Sequence, residues 1–225
     1  MAYRHTENVA RKLLARRAAI LEAACRVAGE QGMAAVQIAP VAERAGVATG
    51  TVYRYFSSKA ELVSALVRSL LEKDLAELDA AAQAAPGPLS ALAATVTTFA
   101  VRALARRRLT FALVAEPVEP ELDAARGAYR RAVAAALERL IRRAVIEGRV
   151  PEQDAQLAAA ALVGALIGGL IGPLAPASDA DPAQERTRAQ TIALFALRAL
   201  GVIDARARGL VAQAAAPISG PARLD

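Results

Sequence analysis

Apolar residues recur along this chain at the three- and four-residue spacing of amphipathic helices, and no stretch shows the strict alternation of a half-buried strand. Read in order, the pattern predicts a first helix from about Val9 to Glu30, stopped at Gly32, with Ile20, Ala24, Val27 and Ala28 as its inward stripe. Cys25 lies beside that stripe as a small packing residue. Two short segments follow, Ile38–Ala45 and Thr49–Phe56, separated by Gly46-Val47-Ala48. A longer helix runs from Ser58 to about Ala82, with Ser57 or Ser58 as N-cap and Glu61 placed to interact with its first turn. Beyond Pro86-Gly87-Pro88, helical patterns cover 89–106, 109–114, 122–147, 154–171 and 183–200, punctuated by Pro117, Pro120, Gly148 and Gly201. The last residues carry little pattern and are expected to form a loosely ordered tail over 205–225.

Composition supports an all-α fold. Hydrophobic residues make up 55% of the 225, yet only 4% are aromatic, and small aliphatic side chains suit close-packed helices better than a β-sandwich. One cysteine excludes an intrachain disulfide framework and any multi-cysteine metal site. One histidine, His5, excludes a two-histidine metal site and leaves little for a Ser/His/Asp triad. The expectation is therefore a protein that is not an enzyme and uses no cofactor and no metal.

The net charge of +6 is concentrated at one end: residues 1–60 hold nine basic and four acidic residues, the other 165 hold 19 and 18. Such an excess points to a local polyanion-binding surface. The polar stretch Met1–Lys12, with no apolar run behind it, is unlike a secretory signal, so a cytoplasmic location is expected. Residues 157–177 are uncharged over a length that could span a bilayer. About half of them are Ala or Gly, prolines 173 and 176 interrupt them, and Asp179 and Asp181 follow without a basic flank. Gly164, Gly168 and Gly172 recur every fourth residue, a spacing that lets another helix approach closely. The segment reads as buried between its own domain and a partner subunit, with these glycines at a dimer interface and no membrane partner.

Residues 37–59, QIAPVAERAGVATGTVYRYFSSK, place two short helices around a Gly-containing turn, the geometry of a helix-turn-helix. With Val52 as the core direction, Phe56, Tyr55 and Ala48 fall within roughly 60° of it, while Gly50 and Arg54 lie opposite, flanked by Tyr53 and Thr51. Gly50 allows close backbone approach, and Arg54 is long enough to donate two hydrogen bonds to a guanine edge. Thr49, Thr51, Tyr53 and Tyr55 are typical phosphate hydrogen bonders, and Lys59 adds a charge beside a helix N-terminus. Gln37 and Arg44, on the segment before the turn, complete the expected DNA-facing set.

From Ala18 to Leu62 the chain resembles the N-terminal domain of the TetR/AcrR family of bacterial transcription regulators. The resemblance rests on Ile20-Leu21, Ala23-Ala24, Gly32, Val41-Ala42, Ala45-Gly46-Val47, Gly50-Thr51-Val52-Tyr53, Tyr55-Phe56, Ser58-Lys59 and Glu61-Leu62. It implies recognition contacts at Thr49, Gly50, Thr51, Tyr53 and Arg54 and phosphate contacts at Tyr55 and Lys59. Gln37 and Ala48 depart from the family, which usually has capping Thr or Ser there; each missing cap costs local helix stability of about 0.5–2 kcal/mol. Ala28 replaces a usual Phe.

The family also implies a homodimer on a double-stranded DNA operator and an all-helical C-terminal bundle that dimerises and binds a small molecule. The expected organisation is a basic arm over 1–8, a helix-turn-helix domain over 9–57, a ligand-binding and dimerisation domain over 58–204, and the tail. For a small apolar effector the candidate lining is Phe99, Phe111, Tyr129 and Phe195, with Arg102, Glu116 and Arg130 as polar anchors. The function expected is a ligand-released repressor. The alternatives are a DNA-binding activator or architectural protein without an effector, and an enzyme of the membrane surface.

Overall fold

A computed structural model of the protein describes the backbone of residues 2–114, 116, 120–176 and 181–214, and the elements within these residues are helical. The chain forms two compact units, one of residues 1–70 with 108–126 and the other of 71–107 with 127–225.

The first unit is built on α1 (Ala2–Gln31), a 3-10 turn at Met33–Ala35, α2 (Ile38–Arg44), α3 (Thr49–Tyr55) and the first half of α4 (Lys59–Gln83). The predicted stripe of α1 is its buried face: Ile20, Ala24, Val27 and Ala28 are at most 1% exposed, as are Val36, Val41, Val52, Phe56 and Leu62 of the same unit. Cys25 is half-buried beside that stripe. Helix α1 begins earlier than expected. The backbone over 2–8 continues it without a break, because nothing between Ala2 and Val9 is a Gly or Pro that would stop a helix. The α2–α3 turn is a Schellman motif: the Val47 N–H donates to the Ala42 carbonyl at 3.0 Å and the Gly46 N–H to the Glu43 carbonyl at 3.1 Å. It needs a left-handed residue, and Gly46 supplies it at φ 64°.

Helix α6 (Arg107–Val114) joins this unit from residue 108 on. The buried Arg126 guanidinium donates to the carbonyls of Leu113 at 2.7 Å and Ala112 at 2.9 Å, satisfying acceptors left over at the helix C-terminus. Glu116 accepts the Met33 N–H at 2.8 Å, and Gly32, at φ 91°, lies so close that an added Cβ would sit 2.8 Å from a Glu116 oxygen.

In the second unit α5 (Pro88–Ala105) is packed by α8 (Ala155–Leu170), α9 (Pro182–Ala199) and α10 (Asp204–Gln213), while α7 (Pro120–Ile146) supplies the buried Tyr129, Val133, Leu137 and Ile141. Helix α5 is long and apolar enough to cross a membrane, and 67% of it is buried inside the protein. Helix α8, the apolar segment singled out above, is capped by Asp154, whose side chain accepts from the N–H groups of Gln156 and Leu157, and it ends at Leu170. One face of it is buried through Ala159, Leu162, Val163 and Leu166, and the other bears Leu157, which is 67% exposed.

Two expectations are corrected here. The tail is helical over Asp204–Gln213, with Ala207 and Val211 buried; residues 215–225 lie outside the described residues. Gly172 does not share a helix face with Gly164 and Gly168, because α8 has already ended and Gly172 is buried against Gly168 and the Ile167 carbonyl. A Cβ on Gly164 or Gly168 would meet open space.

Candidate nucleic-acid interface

Helix α3 is seven residues long, and only Val52 on it is fully buried. Its C-cap Phe56 is buried as well, so these two apolar side chains fix its rotation. Thr49, Gly50, Tyr53 and Arg54 are thereby exposed, with Thr51 and Tyr55 half-buried at the margins, an outward set that matches the periodicity argument. Ala48, assigned by that argument to the core side, is exposed because it precedes the first helical residue. The Arg54 guanidinium lies over the Tyr55 ring at 5.7 Å. A Cβ at Gly50 would find nothing within 4 Å, so its face is open to a close partner.

The missing caps are real. Neither Gln37 nor Ala48 makes a side-chain capping bond, and the Gln37 amide turns back to the Ala34 carbonyl at 3.0 Å. Helix α4 is held differently. Ser58 Oγ accepts the Glu61 N–H at 3.1 Å, while the Glu61 carboxylate accepts the Ser57 N–H at 2.6 Å and its hydroxyl at 2.7 Å. These Ser57 bonds, aided by the charge of Arg17, lower the Glu61 pKa below its ordinary 4.5. Lys59, half-buried, stands in this capped first turn.

Arg44 is placed differently from the rest of the expected DNA-facing set. Its guanidinium is bidentate with Glu30 of α1, Nη1 to Oε1 at 2.7 Å, which ties α2 to α1 and, as the first cause, lowers the Glu30 pKa.

Of the effector candidates, Phe99, Arg102, Tyr129 and Phe195 belong to the second unit, and Phe111 and Glu116 to the first. Glu116 is taken by Met33, Phe111 is 37% exposed, and Phe195 is half exposed on α9. Arg102 and Tyr129 do converge, on Asp74 of α4: Arg102 Nη2 donates to Oδ1 at 2.6 Å and the Tyr129 hydroxyl to Oδ2 at 3.1 Å. Burial and the Asp74 carboxylate push the Tyr129 phenol pKa strongly up, so it stays a donor. Asp74 carried no signal in the sequence, where it is one more acidic residue on a long helix. A surface groove on α7 is lined by Ala135, Glu138, Arg139, Arg142, Arg143, Ile146 and Glu147, none of them a nominated residue. Among the described residues no group of three or more His, Cys, Asp or Glu could hold a metal ion.

An all-helical chain whose short, outward-facing helix follows a glycine turn is a helix-turn-helix protein. Residues 20–66 match the family model of bacterial regulatory proteins of the tetR family. Over this segment the chain resembles the TetR/AcrR family. It is 41% identical over 81 residues to the HTH-type transcriptional regulator BetI of Rhizobium meliloti (strain 1021), covering 36% of this chain and 40% of that protein. To the HTH-type transcriptional repressor KstR of Mycolicibacterium smegmatis (strain ATCC 700084 / mc(2)155) it is 50% identical over 78 residues, 34% of this chain and 38% of the relative. The match thus spans less than half the length of either relative. The crystal structure of RolR in complex with resorcinol aligns over 92% of this chain and 97% of that one, with TM-score 0.63 and 25% identity.

Proposed function

We propose that this protein is a transcriptional repressor that binds a palindromic DNA operator as a homodimer in the cytoplasm and is released from it by a small molecule. The observation that carries this reading is the division of α3, with Val52 and Phe56 buried and Gly50, Tyr53 and Arg54 exposed. That rotation turns a base-reading arginine and a glycine toward a major groove. Dimerisation is supported by the apolar surface of α8 and α9, where Leu157 and Phe195 are exposed and Gly164 and Gly168 leave room for close approach. A small-molecule effector is supported by the resorcinol complex of RolR and by the buried hydroxyls of Thr95 and Thr97. These lack a hydrogen-bond partner among the described residues, which leaves polar capacity inside the second unit.

The test is binding to DNA flanking the protein's own coding region. Arg54→Ala should cost about 1–3 kcal/mol on the specific site and relax sequence preference there. Lys59→Ala should weaken all sequences alike and reduce the salt slope by about one. Equal loss of specific and non-specific binding in Arg54→Ala refutes base reading. An activator or architectural protein without an effector is favoured by one observation, that Arg102 and Tyr129 are satisfied by Asp74 within the chain. A thermal-shift screen that yields no stabilising compound would select it.

A further inference from the structure

The turn that leads from α1 into α2 has no side-chain cap of its own. Its 3-10 helix, Met33–Ala35, is preceded by Gly32, which makes no capping bond, and α2 starts behind Gln37, which makes none either. Met33 is buried, so its N–H needs a partner within the protein. That partner is the Glu116 carboxylate, 83 residues further along the chain, at 2.8 Å. A charged acceptor on the first N–H of a turn acts as a cap, here supplied from a distant segment.

The carboxylate is aimed by the end of α6. There the Phe111 carbonyl accepts the Glu116 N–H at 2.9 Å, and the carbonyls of Ala112 and Leu113 accept from the buried Arg126 guanidinium. The Glu116 backbone is therefore tied to a helix end whose acceptors are closed. Leu109 of the same helix lies beside α1, 3.8 Å from where a Cβ on Gly29 would stand. Gly32 fits beneath the carboxylate because it lacks a side chain: an added Cβ would lie 2.8 Å from Oε1 and 3.2 Å from Oε2.

From Met33 the bonding runs on into the reading head. The Met33 carbonyl accepts the Val36 N–H at 3.1 Å, the Ala34 carbonyl accepts the Gln37 side-chain amide at 3.0 Å, and the Gln37 carbonyl accepts the Val41 N–H at 3.1 Å. The Val41 carbonyl in turn accepts the Ala45 N–H at 2.9 Å, at the entry to the Gly46 turn before α3. Without Glu116 the Met33 N–H loses its acceptor, and the turn shifts toward arrangements in which that N–H reaches water. A DNA site that requires one seat of α3 then binds only the fraction of molecules that hold it. Phosphate contacts made without base reading tolerate such movement.

We propose that Glu116 is a positioning residue for DNA recognition: by capping the Met33 turn it sets α2 and α3 against α1, and so governs how selectively the chain reads sequence. The proposal rests on the DNA-binding reading above and adds to it a specificity determinant outside the helix-turn-helix, just beyond the end of α6.

The experiment compares the full chain with Glu116→Ala and Glu116→Gln by fluorescence anisotropy. Two duplexes of equal length are used, one that the unmodified chain selects from a random-sequence pool and one of mixed sequence. Both variants remove the same charge, so a purely electrostatic effect is common to them. Glutamine keeps an oxygen able to accept the Met33 N–H, and alanine does not. Glu116→Ala should bind the selected duplex about tenfold more weakly than the unmodified chain does, while the two variants bind the mixed duplex within about twofold of each other. Glu116→Gln should stay within about threefold of the unmodified chain on the selected duplex. The Met33 amide should exchange its hydrogen faster in Glu116→Ala alone. Should circular dichroism show Glu116→Ala unfolded, Glu116→Asp, which withdraws the oxygen by one methylene, takes its place with the same expectation. Undiminished selectivity in the alanine variant overturns the inference, as does an equal loss on both duplexes, which makes the role merely structural. An equal loss of selectivity in Glu116→Gln also overturns it, because the charge and not the cap is then responsible. Failure of the unmodified chain to select any duplex overturns the DNA-binding reading itself.

Discussion

In the first unit the surface left uncovered on α3 is Thr49, Gly50, Tyr53 and Arg54, whereas in the second the uncovered faces of α8 and α9 carry Leu157, Gly164 and Phe195. Ion pairs occur in both units: Arg44 with Glu30 in the first, and in the second Arg102 with Asp74, Arg139 with Asp79, Arg142 with Glu138, Arg143 with Glu147, and Arg198 and Arg208 with Asp204. Residues 1–60, with nine basic and four acidic residues, carry +5 of the chain's +6 and display part of it on the exposed half of α1. One region is suited to a highly charged, wet partner, the other to a dry apolar one. A single net charge or mean hydropathy averages the two and hides both.

The most damaging way to break this contrast is to remove the seat of α3. Phe56→Ala empties a fully buried position and should lower the stability of the first unit by about 3–5 kcal/mol, read in urea unfolding as a separated early transition. Asp74→Ala strikes the second unit: it leaves the three-quarters buried Arg102 without its closest carboxylate and the Tyr129 hydroxyl without its acceptor. With the discount that this remaining exposure demands, the expected loss is about 2 kcal/mol by the same measurement. Ala48→Ser should sharpen the contrast instead. It restores a side-chain cap to the recognition helix and should raise the melting temperature, with a gain of about 1 kcal/mol.

The smallest effect is one of pH. Glu30 and Glu61 have folded pKa values below their ordinary 4.5, so their contribution to the first unit is complete above that value and is lost as pH falls below it. The double variant Glu30→Gln and Glu61→Gln should flatten the acid side of the melting profile between about pH 5 and pH 3.

What could be read from sequence was local. Gly46 announced the turn, Ser58 and Glu61 announced the start of α4, and the spacing of Ile20, Ala24, Val27 and Ala28 gave the inward face of α1, each within a few residues of its consequence. The outward face of α3 followed from the phase of Val52 alone. What could not be read depends on distant partners. Asp74 gathers Arg102 and Tyr129 from 28 and 55 residues away, and Glu116 reaches Met33 across 83. Phe195 looked like a lining residue because aromatics are scarce, but scarcity does not say which way a ring points. Helix α10 was missed because DARARGLVAQ shows its core only two small buried residues, Ala207 and Val211, too little apolar signal to mark a helix.

The bond from Glu116 to Met33 has a consequence for biosynthesis. The unit bearing the helix-turn-helix includes residues 108–126, so it is not finished when its first 70 residues leave the ribosome. Closing so long a loop carries an entropic cost before the contact is gained, and at ~5–20 residues per second the missing pieces follow several seconds behind. Through that interval Met33 has no carboxylate to accept its N–H and Leu109 is absent from beside Gly29. The part of the chain translated first is thus among the later parts to reach its final form.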